Sequence, residues 1–225
     1  RGRKDKVTPE AAISLAADPA TRFDQIMAIH DPKVGGTDAY IDIVNCDGTR
    51  AQAGGNGTRC VVQALASETG RKRFTFQTIA GILNAVEHED GTISVDMGQP
   101  VFDWNRIPLS EEFHDTSRIE LQIGPIDNPV LHSPAVMSMG NPHAVIYVED
   151  VKNFPVEKYG TMIENHDLFP NRTNVEFVQI LNEEEVIQRT WERGSGETLA
   201  CGTGAAAVTV AGVLTKRTAR SILVH

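Results

Sequence analysis

Cys201 stands in Ala200-Cys201-Gly202-Thr203-Gly204-Ala205, a glycine-rich turn that runs straight into an apolar, helix-like segment. A Gly-x-Gly turn at a helix start frees several backbone N–H groups, and the helix dipole adds positive potential, so the spot suits a carboxylate or a phosphate. The same position lowers a thiol's pKa, the condition for a cysteine that acts as base or nucleophile; the other common fate of a free cysteine is a small buried hydrophobe. A second turn of the kind, Gly54-Gly55-Asn56-Gly57, opens another apolar run. Upstream of Cys201, Glu192 and Arg193 sit together in Glu192-Arg193-Gly194-Ser195-Gly196-Glu197. An adjacent acid and guanidinium can take the ammonium and carboxylate of an amino acid, the Arg as a bidentate fork, or can be a solvated pair on a loop. Asn45, Asn141 and Asn174 add neutral amides at turn-like positions. Cys60, among Val61 and Leu65, reads as core, and Cys46 as part of a structural turn.

These residues need elements to position them. Thr8-Pro9-Glu10 suits an N-cap, a first-turn proline and a first-turn acid, predicting a helix over 8–17. Asp38 to Val44 alternates as a half-buried strand, and Asn45-Cys46-Asp47-Gly48 breaks it. The helix after Gly57 ends at Gly70, and Phe74–Thr78, Leu83–Glu87 and Thr92–Asp96 form a meander joined at Gly81 and at Asp90-Gly91. The polar stretch from Leu109 to Thr116 predicts a boundary, giving domains 1–112 and 113–225. Strands follow at Ile119–Ile123, Val136–Met139, Ala144–Val148, Val175–Leu181 and Val186–Trp191, and then a helix from Ala205 to about Lys216. Laid side by side, Ala53 to Thr58 and Ala200 to Ala205 each open a helix, so the halves read as an internal repeat with Gly54 opposite Cys201.

Composition bounds the chemistry. The 225 residues carry 21 Lys+Arg against 30 Asp+Glu, a net charge of −9, with 40% apolar and 23% charged residues. That is a folded-protein composition without the basic clusters that drive binding to nucleic acid or lipid surfaces, leaving a small molecule or a protein as partner. No apolar run approaches the roughly 18–20 residues of a membrane span, and three cysteines at these spacings fit neither a disulfide framework nor a metal site. A reducing, cytoplasmic setting is expected. The chain opens on charged residues from Arg1 to Lys6, without a Met, as though cut from something longer.

Five motifs then combine: Asn45-x-Asp47-Gly48; Ala51-x-x-Gly54-Gly55-Asn56-Gly57-x-Arg59-Cys60; Gly140-Asn141-Pro142-His143; Arg172-Thr173-Asn174-Val175; and Glu192-Arg193-Gly194-x-Gly196-Glu197-Thr198-x-Ala200-Cys201-Gly202-Thr203-Gly204-Ala205. In this order, along nearly the whole chain, they resemble the diaminopimelate epimerase family. The resemblance implies an α+β fold of two pseudo-symmetric domains, each with antiparallel or mixed strands wrapped around a central helix, and an active site in the cleft between them. It implies a homodimer and a two-base reaction, without PLP, other cofactor or metal, that interconverts LL- and meso-diaminopimelate on the route to lysine and peptidoglycan. One thiolate removes the α-proton while an opposing thiol delivers another. On matching positions, Cys201 is one acid/base residue. Gly55, Asn56, Gly202 and Thr203 give backbone N–H groups to the reacting carboxylate. Asn45, Asn141, Asn174, Glu192 and Arg193 recognise the substrate's amino and carboxylate groups, Arg193 taking the distal carboxylate, and Gln25 and His143 join the site.

The departures matter more. The family's first-half motif is Cys-Gly-Asn-Gly, so Gly54 stands where the second catalytic cysteine belongs, the position that the repeat marks independently. A glycine has no side-chain proton to exchange, and Cys60 lies too far along the helix to replace it. The family also opens with a strand carrying a further substrate-binding Asn and closes with a strand after the equivalent of Val224; neither is in this sequence, which predicts exposed sheet edges. The leading expectation is thus a diaminopimelate epimerase impaired by Gly54. The alternatives are a single-cysteine, lyase-type relative and a non-catalytic amino-acid-binding homologue.

Overall fold

The structure is a computed structural model that describes residues 6–52 and 54–225; the charged opening up to Asp5 and Ala53, which heads the first glycine-rich segment, lie outside the described residues. The chain divides into two compact units, one ending at Gly98 and one spanning Gln99–His225. The break comes before the expected 112/113 boundary. Val101 bridges Ser138, and Ile107, Leu109 and Ile119 lie in the second unit's core, so the polar-looking stretch is tied down by its apolar minority.

The first unit contains α1 (Pro9–Ala17), β1 (Gln25–His30), β2 (Ala39–Asn45), β3 (Arg50–Ala51), α2 (Gly55–Thr69), β4 (Arg73–Thr78), β5 (Gly81–Glu87) and β6 (Ile93–Asp96). Thr8 caps α1 as expected, its hydroxyl accepting from Ala11 N–H. The sheet runs β1-β2-β4-β5-β6 with β3 also on β2. Strand β2 pairs in parallel with β4, a pairing that needs a long crossover, and α2 provides it. Val61, Val62, Leu65 and Ala66 form the buried stripe of α2 and join Ile41, Ile43, Phe74 and Phe76 in one core. Gly70 ends the helix with φ +69, a left-handed cap that glycine adopts without a Cβ penalty. Cys60 faces solvent rather than this core, because that stripe leaves it on the helix's outer side.

The second unit contains β7 (Gln122–Ile123), β8 (Leu131–His132), β9 (Ala135–Ser138), β10 (Pro142–Tyr147), α3 (Val156–Glu164), β11 (Asn174–Asn182), β12 (Glu185–Glu192), β13 (Gly196–Thr198), α4 (Gly202–Leu214) and β14 (Leu223–Val224). Of the strand expected over 119–123, only β7 forms. The larger sheet runs β13-β12-β11-β10-β9, with β14 parallel to β12.

The repeat extends into the pairing. In the first unit β1 runs antiparallel to β2, β2 turns back into β3, α2 follows, and β4 returns parallel to β2. In the second unit β11, β12, β13, α4 and β14 do the same in the same order. Ile43 pairs with Ala51 three residues before Gly54, and Thr190 pairs with Thr198 three residues before Cys201. Equal spacing on equal topology places Gly54 and Cys201 at equivalent helix starts.

Candidate active site

Within the second unit, β13 delivers the chain to α4, and Cys201 is the helix's N-cap in extended backbone (φ −130, ψ 113). Gly204 N–H donates to its Sγ at 3.3 Å, so the thiol sulfur satisfies one of the donors a helix start leaves open. Thr203 Oγ1 lies 3.4 Å from the sulfur and also accepts from Asn141 Nδ2 at 3.4 Å. Asn141 Oδ1 is 2.8 Å from His143 Nε2, and His143 Nδ1 is 2.7 Å from Glu176 Oε1. A continuous polar chain thus connects Cys201 to a carboxylate beneath the helix, with His143 and Glu176 both fully buried. Gly204 admits this arrangement: a Cβ there would lie 2.7 Å from Glu176 Oε1.

The helix start was expected to lower the thiol's pKa, and the structure reverses that. Cys201 is 8% exposed. Burial pushes its pKa up, and the Glu192 and Glu176 carboxylates push it further; the bonds from Thr203 and Gly204 pull it down and do not compensate. As it stands, Cys201 is a proton-bearing thiol.

The Glu192-Arg193 turn joins β12 to β13. Thr198 Oγ1 donates to Glu192 Oε1 at 2.6 Å, and Arg193 Nη1 donates to the Asn171 carbonyl at 3.2 Å. Asn174, the first residue of β11, accepts from Arg193 N–H at 2.8 Å and donates to the Pro142 carbonyl at 2.9 Å, so it braces the turn against β10. Asn141, His143, Asn174, Glu192, Arg193, Cys201, Gly202 and Thr203 therefore all lie on β10, β11, the β12–β13 turn and the start of α4, with Asn141 just ahead of β10.

Within the first unit, Gly54 is the N-cap of α2 in the same extended region (φ −159, ψ 98), with no side-chain cap. Gln25 Nε2 donates to Asn45 Oδ1 at 3.0 Å, and Asn45 Nδ2 donates to Thr49 Oγ1 at 3.0 Å. A Cβ on Gly54 would meet Gln25 Oε1 at 3.3 Å and Ile43 Cδ1 at 3.4 Å, room for a small side chain with slight adjustment. Gly55 is buried at the first helical position, and Asn56 Oδ1 accepts from Arg59 Nη2. A Cβ on Gly57 would run into Met27.

Sequence reasoning missed Glu176 and Glu164. Each carried a readable signal: Glu176 interrupts the apolar run Val175 to Val178, and Glu164 is an acid at a helix C-terminus, where the dipole disfavours it. Among the described residues, no group of three or more His, Cys, Asp or Glu is placed to hold a metal ion, and no helix is long and apolar enough to cross a membrane.

Comparison with known proteins puts these features in context. The family model described as diaminopimelate epimerase matches residues 5–103 and 135–225. A diaminopimelate epimerase of Rhizobium leguminosarum bv. trifolii is 67% identical over 226 residues, covering 100% of this chain and 75% of the relative, and that of Agrobacterium fabrum is 67% identical over 225 residues with the same coverage. Among solved structures, a hydroxyproline epimerase from Agrobacterium vitis, with bound trans-4-hydroxy-L-proline, aligns with a TM-score of 0.65 at 16% identity, over 97% of this chain and 72% of that one. A Bacillus anthracis phenazine biosynthesis protein of the PhzF family aligns at 0.56, also at 16% identity, over 91% and 69%. At such identities the structural likeness is one of fold.

Proposed function

The chain belongs to the diaminopimelate epimerase family, and we propose that its substrate is 2,6-diaminopimelate, with inversion between the LL and meso forms at one α-carbon as the reaction its scaffold is built for. The observation that carries this reading is Cys201, a buried thiol at the N-cap of α4, hydrogen-bonded to the helix's own N–H and flanked by Glu192. In the second unit the backbone N–H groups of Gly202 and Thr203 take the reacting carboxylate, where they stabilise the charge that develops as the α-proton leaves. Glu192 takes the ammonium and Arg193 the distal carboxylate, with Asn141, Asn174 and His143 completing recognition. Burial and two carboxylates hold the thiol up, and an ammonium bound at Glu192 neutralises one of those carboxylates, so substrate binding itself moves the thiol toward ionisation. The thiolate then takes the α-proton and becomes the thiol. Gly55, Asn56, Asn45 and Gln25 are also assigned to substrate binding in this reading.

Completing inversion requires a second acid to return a proton to the opposite face, and Gly54 has none to give. We therefore propose that this chain binds diaminopimelate and inverts it poorly, and that its lesion is local. Gly54 equally favours a second reading, a homologue that binds the amino acid without turning it over. Proton NMR in deuterium oxide separates them. In the first reading Gly54→Cys exchanges and inverts the α-proton of LL- and meso-diaminopimelate far faster than the parent. In the second, neither does, although the ligand raises the melting temperature of both. We further propose a homodimer in the cytoplasm; light scattering that finds a monomer at every concentration would refute the dimer.

A further inference from the structure

Glu164 ends α3 with its carboxylate buried, at 6% exposure. A carboxylate taken out of water is costly unless its oxygens are occupied by donors, and three donors reach this one. Arg172 Nη1 donates to Oε1 at 3.1 Å, Gly194 N–H donates to the same oxygen at 3.0 Å, and the Trp191 indole Nε1–H donates to Oε2 at 2.6 Å. Trp191 and Gly194 flank Glu192 and Arg193, and Arg172 opens the segment leading to Asn174. One side chain on a helix that carries none of the proposed substrate contacts therefore grips both recognition segments.

Helix stability does not explain the position, since a negative charge at a helix C-terminus opposes the dipole. Backbone conformation does. Gly194 and Gly196 sit at φ +76 and +78, and Arg172 adopts φ +60, which non-glycine residues rarely take. Such a backbone persists when its surroundings over-determine it. The equivalent turn of the first unit, after Asn45, is closed by Asp47 Oδ1, which accepts from Thr49 N–H and Oγ1, and by Gly48 N–H to the Asn45 carbonyl, and its outside tie is Cys46 N–H to the Asp24 backbone carbonyl rather than a buried carboxylate. The second-unit turn is closed locally by Ser195 N–H to the Glu192 carbonyl and by Thr198 Oγ1 to Glu192 Oε1, and it is gripped from outside by Asn174 and Glu164. Gly160 seats the grip: Trp191 packs so closely over it that a Cβ would lie 2.5 Å from the ring.

We propose that Glu164 is a positioning residue for substrate recognition: its carboxylate clamps Trp191, Gly194 and Arg172 and so holds Glu192 and Arg193 in the geometry that takes the substrate's ammonium and distal carboxylate. This rests on the diaminopimelate reading above, and the test separates the two. Glu164→Gln keeps the size and acceptors on one side but turns an N–H toward the Trp191 indole. Hydrogen exchange on the intact protein is expected to accelerate about tenfold at Trp191 Nε1–H and at Gly194 N–H, with β4 and β5 unchanged. By calorimetry the affinity for meso-diaminopimelate falls about tenfold. In an Arg193→Ala background the same substitution has a smaller further effect, because part of what the clamp holds in place is already gone. Additive losses in this cycle, or unchanged exchange at Gly194, overturn the proposal. If the parent binds no diaminopimelate, the substrate reading fails, and the exchange measurement still decides whether Glu164 holds the turn. Should the Gln variant not fold, Glu164→Asp, which keeps the charge and withdraws it by one methylene, gives the same pattern at smaller amplitude.

Discussion

The N-termini of α2 and α4 are two versions of one design. Both follow a strand, a turn and a short return strand, and both begin at an extended N-cap followed by Gly-x-Gly. What lies beneath them differs. Under α2 the residue that crowds the second glycine of Gly-x-Gly, Gly57, is Met27 of β1, an apolar thioether; under α4 the residue that crowds Gly204 is Glu176 of β11, bound to His143. The cap differs too: Gly54 offers no side chain, and Cys201 offers a thiol that its own burial, with the Glu192 and Glu176 carboxylates, holds protonated. A backbone frame that can gather N–H groups at a helix start is thus separable from the proton chemistry placed on it. The frame is kept twice, and the thiol and its charged support are kept once.

The contrast between the two helix starts is tested most sharply at position 54. Gly54→Cys should raise the rate of α-proton inversion by about 10²–10⁴-fold, followed by NMR in deuterium oxide, and a further Cys201→Ala should return it to the parent level. No gain on adding the cysteine would mean that the two helix N-termini differ by more than the missing thiol.

Glu176→Met makes the floor of α4 like that of α2. It leaves His143 without its carboxylate, a loss of about 3 kcal/mol for a broken buried pair. Denaturation followed by tryptophan fluorescence reads this unit alone, since both tryptophans, Trp104 and Trp191, lie in it. Removing one of the two carboxylates also moves the Cys201 thiol back toward its ordinary pKa, so the pH profile of its alkylation shifts downward, with exposed Cys60 as the internal control.

Glycine substitutions give smaller, opposite-looking effects. Gly204→Ala forces a methyl against Glu176 and should cost about 1–3 kcal/mol. Gly54→Ala, in ordinary extended backbone with contacts of 3.3 and 3.4 Å, should stay within about 0.5 kcal/mol of the parent. Equal losses at both sites would erase the difference between the two floors.

The mildest effect is in pH. The Cys201 pKa is higher folded than unfolded, so its contribution is intact below the unfolded thiol value near 8.5 and is lost as pH rises toward the folded value. Stability should therefore decline above about pH 8.5, and Cys201→Ala should flatten that part of the curve.

Local signals read well where a residue's role is set within a few positions of sequence. Thr8-Pro9-Glu10 marked α1, Gly70 marked the end of α2, and the glycine-rich turns marked both helix starts. The internal repeat was legible because equal spacing leaves a mark in sequence as well as in strand register. Other features were not legible. The boundary expected near 112 lies at Gly98, because whether a polar stretch belongs to one unit or the other depends on the partners of a few apolar residues such as Ile107 and Leu109. Cys60 read as core and is exposed, since a helix stripe assigns burial by angle and its neighbours Val61 and Val62 took the inward face.

The sequence by itself determined the family frame, the two helix starts and the absence of a thiol at position 54, because these depend on residue types at fixed local spacings. Only the tertiary structure decided the state of Cys201 and the support of the recognition turn. A thiol's proton affinity is set by its burial and by the charges around it, here Glu192 and a buried Glu176 whose partner His143 comes from another strand. A turn is held by whatever reaches it, here a carboxylate thirty residues away along the chain at Glu164. Electrostatics and hydrogen bonding act through space, so their sources fall wherever the fold brings them.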